Sequence, residues 1–261
     1  MEITSISNAF SLKGKNAVVT GGNKGIGAGI VTAYAQTGAN IAIMARDEVT
    51  GQKAVNDLKE KYDGKYVFIK TDIGEFASCK ASVEKAIEEL GNIDILVNNA
   101  GVKTVGNLLD MGEDLAEWHK CINIDLNGAV RMSYLVAKHM RSNGRGGRII
   151  NISSNAGEIC SKTANMITYC SAKAALNLFT KGLAIELSKD NIRVNAIAPG
   201  FIDSSEDIPD HLKKHLADMI PIGRLGHVLE IGALAVYLGC DISDDMTGAI
   251  LTMDGGHSIV I

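Results

Sequence analysis

The stretch Thr20-Gly21-Gly22-Asn23-Lys24-Gly25-Ile26-Gly27 decides how this chain is read. It follows the apolar run Ala17-Val18-Val19 and opens an amphipathic segment that continues to about Gly38. A strand, a glycine turn and a helix in succession make a holder for phosphate. Glycine takes positive φ at no steric cost and lets a ligand approach the backbone closely. The helix start then offers unpaired N–H groups and the positive end of its dipole to an anion. A glycine cluster alone says little. At the first strand-to-helix junction of an alternating strand and helix pattern, it has the context that a dinucleotide fingerprint requires. Gly21, Asn23, Lys24, Gly25, Ile26 and Gly27 are therefore candidate cofactor residues.

With 261 residues the chain has room for one large α/β domain or two small ones. Its three prolines and the lack of a Ser/Gly-rich linker favour a single domain over 1–261, with 1–13 as a surface arm. A hydrophobic content of 46% is ample for a core. The formal charge of −4 argues against nucleic acid or an anionic membrane surface as main partner, since both need basic patches. No apolar run approaches the ~20 residues of a membrane span, and Met1 to Phe10 lack the marks of a signal peptide. Cys79, Cys121, Cys160, Cys170 and Cys240 form no C-x-x-C pair. A scattered, odd set of thiols is expected in a reducing cytoplasm.

Further strands are expected near residues 41–45, 66–70, 94–97, 147–153, 192–198 and 249–253, separated by helical patterns. Ala45-Arg46 close the second strand, where a doubly wound fold meets the adenosine ribose. An acid there would bind the 2′-hydroxyl. Arg46, helped by Lys24, instead offers a cation with a planar fork that suits a 2′-phosphate, which points to NADP(H). The bland alternative is a solvated surface charge. Asp72-Ile73 follow the third strand, and Asp72 is also a candidate N-cap for the next helix. Asn98-Asn99-Ala100-Gly101 close the fourth strand, where small residues let the backbone pass beside a cofactor. A long helix is expected from about His119 to Arg141, containing Asn123-Ile124-Asp125-Leu126-Asn127-Gly128.

Ser153-Ser154 end the fifth strand, at the sheet edge where open α/β folds bind ligands. Tyr169 and Lys173 lie four apart at the start of the next helix and share one face. A free tyrosine ionises near pH 10 and is a poor base at neutrality. A nearby ammonium and an oxidised nicotinamide both favour the phenolate. Tyr169 would then take a proton from an alcohol as hydride leaves its carbon, or give one to a carbonyl in reverse. Ser154 would hold the reacting oxygen, with Ser153 as the alternative. Pro199-Gly200 turn the chain after the sixth strand, and Asp254-Gly255-Gly256 follow the seventh.

Taken together, T-G-G-N-K-G-I-G, N-N-A-G, the Ser-Ser strand end, Y-C-S-A-K, P-G and D-G-G resemble the short-chain dehydrogenase/reductase family over nearly the whole chain. The resemblance implies a doubly wound Rossmann fold with a seven-stranded parallel sheet and helices on both faces. It implies Ser154, Tyr169 and Lys173 as catalytic residues. Lys173 also grips the nicotinamide ribose, which adds Tyr169 and Lys173 to the cofactor set. It further implies Asp72 and Ile73 near the adenine, and Asn99, Ala100, Gly101, Pro199, Gly200, Ile202 and Ser204 along the cofactor. The family usually has an Asn at the position of Asp125, where it bends a helix and holds a relay water. Either Asp125 fills that role through its carbonyl and carboxylate, or the relay differs.

Residues 203–222 fall where the family carries a substrate lid. His211 and His215, with Asp207 or Asp218, form a possible metal face there, but no third ligand stands at a telling spacing, so the expectation is a solvated helix and no metal. Cys160 and Cys170 are read as buried, inert thiols rather than oxidation-sensitive ones. The apolar tail 257–261 is expected to pack on a neighbouring subunit, and the likeness implies a homotetramer or homodimer built on two long central helices. The runs A-F-S-L-K-G-K-N, G-R-I-I-N-I-S-S and D-L-N-G look most like members acting on sugar acids and polyols, such as gluconate 5-dehydrogenases. A hydroxysteroid or bile-acid dehydrogenase is the main alternative. A 3-ketoacyl-thioester reductase and a silent NADPH-binding sensor stand behind it.

Overall fold

Strand order reverses once in the sheet of this protein, and that reversal sets where a ligand can lie. The computed structural model describes residues 9–160, 165–204 and 208–260. Its main sheet has seven strands: β1 (Asn16–Thr20), β2 (Asn40–Ala45), β3 (Tyr66–Lys70), β4 (Ile95–Asn98), β5 (Gly147–Ile152), β6 (Ile192–Pro199) and β9 (Ile250–Met253). They lie in the order β3-β2-β1-β4-β5-β6-β9, and every pair is parallel. From β1 the chain winds outward through β2 and β3, then returns to place β4 on the other side of β1. The crevice between β1 and β4 is the topological switch point, the usual ligand site of an open α/β sheet.

Parallel strands covered on both faces read as continuous apolar runs. Ala17 and Val19 face one core with Ile41 and Ile43, while Val18 faces the other with Ala42 and Met44. On the first side pack α1 (Gly25–Gln36), α2 (Glu48–Lys61) and α8 (Val228–Gly239), through Ile30, Tyr34, Val55, Leu58 and Ile231. The helical spacing of Ile26, Ile30, Ala33 and Tyr34 predicts one inward face for α1; Ile30, Ala33 and Tyr34 are buried and Ile26 is half-buried. On the second side pack α3 (Phe76–Leu90), α5 (Ala129–Asn143) and α6 (Ile167–Leu187), through Cys79, Val83, Met132, Val136, Ala184 and Leu187.

Three local expectations change. Leu12 belongs to the core, not to a surface arm: it is fully buried, and its N–H donates to Thr37 O at 2.9 Å. Residues 1–8 of that arm lie outside the described residues. The helix expected over 119–141 is not one α-helix. α4 (Ala116–Cys121) passes into a π-helical run, Ile122–Gly128, before α5 begins. Asp72 does not cap α3, whose N-cap is Glu75; its Oδ1 instead accepts from Gly74 N at 2.9 Å in a tight Asx turn. The charged insert contains α7 (Asp210–Asp218), preceded by the two-residue strand β7 (Ile202–Asp203), which pairs with β8 (Gly226–His227). Among the described residues no helix is long and apolar enough to cross a membrane.

Candidate active site

The glycine turn sits at the switch point with the geometry expected of a phosphate cradle. Gly21 and Gly25 have φ of +64° and +57°, where a side chain is strained. A Cβ on Gly27 would press into the Gly21 carbonyl oxygen and stand 2.5 Å from Asn99 Nδ2. Lys24, the N-cap of α1, makes no side-chain cap, and the first turn holds no acidic residue. The free N–H groups of α1 are thus left without side-chain acceptors, as an anion site requires. These residues fit a dinucleotide pyrophosphate. Ser204 closes the same spot from the far side, since a Cβ on Gly25 would lie 3.7 Å from the Ser204 Cβ.

Asn99 and Thr20 stitch β1 to β4 beside this turn. Asn99 Nδ2 donates to Thr20 O at 2.9 Å and Gly21 O at 3.1 Å. The N–H groups of Asn99 and Ala100 both donate to Thr20 Oγ1 at 3.0 Å. Thr20 thus holds up both segments. Sequence reading quoted it but gave it no role, although its place at a strand end beside Gly21 was the signal. Asn23 Nδ2 donates to Thr50 Oγ1 at 2.8 Å, fastening the turn to α2.

Arg46, at the end of β2, and Lys24, in the glycine turn, are both exposed. The nearest acid, Asp47, caps α2 by accepting from Thr50 N and Thr50 Oγ1, each at 2.8 Å. Those bonds, the backbone one first, hold its carboxyl below the usual range. One of its two carboxylate oxygens, Oδ1, is therefore committed to the helix. Gly200 N–H donates to Met253 O at 3.1 Å, and a Cβ on Gly200 would meet Asp254 Cβ at 2.6 Å, so this turn packs directly on the D-G-G segment. Ile202 is half-buried in β7, and Ile73 is buried against Gly128 of the π-helical run.

The end of β5 separates the two serines. Ser153 is buried, and its Oγ donates to Asn177 Oδ1 at 2.6 Å. Ser154 is half-buried at the strand's carboxyl end, and its Oγ accepts from Ala156 N at 3.1 Å. The Ser154 hydroxyl sits at the mouth, where it donates to Asn155 Oδ1 over a long 3.5 Å, a bond weak enough for a substrate oxygen to displace. The Ser153 hydroxyl is spent inside the core.

Tyr169 and Lys173 share one face of α6. Lys173 Nζ is 5.5 Å from the centroid of the Tyr169 ring and donates to Ile152 O at 3.0 Å. It also stands 3.4 Å from Asp125 Oδ2, an ion-pair distance without hydrogen-bond alignment. Oδ1 of Asp125 accepts from Val102 N at 2.7 Å. Burial is the main influence on the Asp125 carboxyl and raises it, with Lys173 and the Val102 N–H acting against it. Gly101 gives it room: a Cβ there would lie 3.0 Å from Oδ2.

The π-helical run aims Asp125. Such runs carry an extra residue per turn and cluster at functional sites. Asn123 points the other way, accepting from Arg131 Nη2 at 2.7 Å and donating to Gly74 O at 3.3 Å, and Asn127 is exposed. Of the three polar residues in this segment, the structure brings Asp125 alone to Lys173.

His211 and His215 are exposed on α7; Asp207 lies outside the described residues. Among the described residues no group of three His, Cys, Asp or Glu is placed to hold a metal. Cys170 is buried as expected, but Cys160 is exposed, because the loop after β5 carries it outward.

The fold and site define a nicotinamide-dependent oxidoreductase of the doubly wound α/β class. A family model described as enoyl-(acyl carrier protein) reductase matches residues 21–258. A 3-oxoacyl-[acyl-carrier-protein] reductase of Chlamydia muridarum is 38% identical over 247 residues, covering 94% of this chain and 98% of its own. An NADP-dependent mannitol dehydrogenase of Alternaria alternata is 34% identical over 263 residues, covering 99% and 97%. The crystal structure of a short-chain type dehydrogenase/reductase from Mycobacterium marinum superposes with a TM-score of 0.92 at 34% identity, covering 97% and 99%. The chain belongs to the short-chain dehydrogenase/reductase family.

Proposed function

We propose that this protein is an NADP(H)-dependent oxidoreductase that interconverts a secondary alcohol and a ketone, with a polyol, ketose or sugar acid as substrate. The observation that carries the reading is Lys173, 5.5 Å from the Tyr169 ring centroid and bonded to Ile152 O at the carboxyl end of β5, two residues before Ser154. When bound, the nicotinamide supplies or accepts the hydride. Ser154 donates a hydrogen bond to the substrate oxygen and fixes it. Tyr169 moves the proton at that oxygen. Lys173, held by the Ile152 carbonyl, sets the electrostatic field at the phenol.

Two features support the finer reading. Arg46 is an exposed cation at the end of β2, Lys24 is exposed in the glycine turn, and Oδ1 of Asp47 is committed to its cap. Polar groups border Ser154: Asn155 Nδ2 lies 3.0 Å from His257 Nδ1 and 3.3 Å from Asp254 Oδ2, and Thr252 Oγ1 donates to Glu158 at 3.2 Å. A rim of hydrogen-bonding groups suits a hydroxylated substrate. Apolar residues nearby, with Val105 at 67% and Leu109 at 94% exposure, favour a second reading: a steroid or an acyl thioester.

Oxidation of NADPH over ketoses, keto acids, oxo-steroids and 3-ketoacyl thioesters separates these. Turnover is expected on the first two classes. Turnover confined to the last two moves the substrate assignment, and silence across the panel with tight NADPH binding favours a sensor. In the same assay NADPH should outperform NADH by about 10²-fold, from two charge-assisted contacts to the 2′-phosphate. Arg46→Asp should erase most of that margin. A wild-type preference for NADH refutes the cofactor assignment.

The assembly proposed is a homotetramer or homodimer in the cytoplasm, joined through the central helices. Leu178 and Ile185 on α6 are 72% and 77% exposed, and Tyr134 on α5 is 55% exposed, which leaves an apolar face to cover. A monomer by light scattering refutes it.

A further inference from the structure

A buried carboxylate faces the buried ammonium of Lys173. The side chains of Asp125 and Lys173 are 0% and 6% exposed, and 3.4 Å separates Oδ2 from Nζ. Oδ1 is occupied by the Val102 N–H. Oδ2 has no hydrogen-bond donor aligned with it, so the ammonium is its only charged partner among the described residues. A neutral amide in this place would accept from Val102 equally well. What an aspartate adds is one negative charge on the side of Lys173.

We infer that the Asp125 carboxylate offsets the Lys173 charge felt by Tyr169, holding the phenol in its proton-donating form and setting the site for carbonyl reduction. The inference rests on Tyr169 as the acid/base proposed above. A lone ammonium beside the ring favours the phenolate. With a carboxylate paired to it, the two charges act as a dipole, whose field at the phenol is weaker than that of the cation alone. A protonated Tyr169 is the form that reduction needs. As hydride from NADPH reaches the carbonyl carbon, the C=O π pair moves to oxygen, and that oxygen takes the Tyr169 proton. The products are the alcohol, NADP+ and a phenolate that solvent reprotonates. Oxidation needs the phenolate first, and so becomes efficient only toward alkaline pH.

Other ionisable groups on the surrounding elements do not supply this charge. Cys121 on α4 is buried, and burial pushes its thiol up, which keeps it neutral. Glu117 on α4 and Lys103 after β4 are exposed and screened. Asp72 accepts from Gly74 N, and Arg131 donates to Asn123 Oδ1.

The test is an ultraviolet difference titration of tyrosinate, wild type minus Tyr169→Phe, on the cofactor-free protein and on its NADP+ complex. It is then repeated in an Asp125→Asn background. Removing the carboxylate should move the Tyr169 ionisation toward acid by about one pH unit or more, the order of effect of losing one buried charge paired to the neighbouring ammonium. The acid limb of kcat/KM for alcohol oxidation should move with it, and NADPH binding should persist. Should Asp125→Asn fold poorly, Asp125→Ser removes the same charge and is read the same way. An unmoved ionisation in a variant that still binds NADPH overturns the inference while leaving Tyr169 as the acid/base. Normal turnover by Tyr169→Phe overturns the underlying reading instead.

Discussion

Tyr169→Phe should bind NADPH as the wild type does and lose about 10³-fold in kcat, the usual contribution of a positioned general acid/base. The change removes one oxygen and leaves the ring in place. The ring lies 5.5 Å from the Lys173 ammonium, so packing and the cation–π contact persist while the proton path does not. Lys173 keeps its bond to Ile152 O and its place beside Asp125. A loss confined to kcat, with NADPH affinity unchanged by fluorescence titration, is the signature of a group that acts on the reacting oxygen. Near-wild-type rates would remove Tyr169 from the chemistry.

Gly27→Ala should abolish NADPH binding and lower the melting temperature. The new methyl would press on the Gly21 carbonyl and stand 2.5 Å from Asn99 Nδ2. Neither neighbour is a flexible end: the first is backbone, and Asn99 Nδ2 is held by Thr20 O and Gly21 O. The turn must therefore move away from β4, at a cost of about 1–3 kcal/mol for overpacking, and the cradle moves with it. Gly25→Ala makes the control. Its Cβ would meet nothing closer than 3.7 Å, so its penalty is the left-handed backbone alone, about 1–2 kcal/mol. Binding should thus weaken far more in Gly27→Ala than in Gly25→Ala. Equal affinities would show that the turn is not the cofactor's seat.

Much of this molecule is legible from its residues because its strands are buried on both faces. Runs such as Ile41-Ala42-Ile43-Met44 admit few other readings, and the turns after them carry the chemistry. What escaped depends on geometry that residue type does not encode. The π-helical run at Ile122–Gly128 is 7 residues, under two turns, too short for its wider spacing to leave a periodic trace. The choice between Ser153 and Ser154 needed the direction of each side chain, which Asn177 fixes from a helix distant in sequence. Leu12 looked like part of an arm because no pattern precedes it; its burial comes from Thr37 and α8, far along the chain. Asp125 was visible as a departure, but its ion pair with Lys173 was not.

The π-helical run also has a bearing on how such a protein could lose its reactivity. What presents Asp125 to Lys173 is a matter of spacing along the backbone, one surplus residue in a winding that would otherwise close normally. A single-codon deletion there would relieve the helix and turn Asp125 away from Lys173, with every reactive side chain still encoded. Inspection of residue identities alone would pass such a gene as intact.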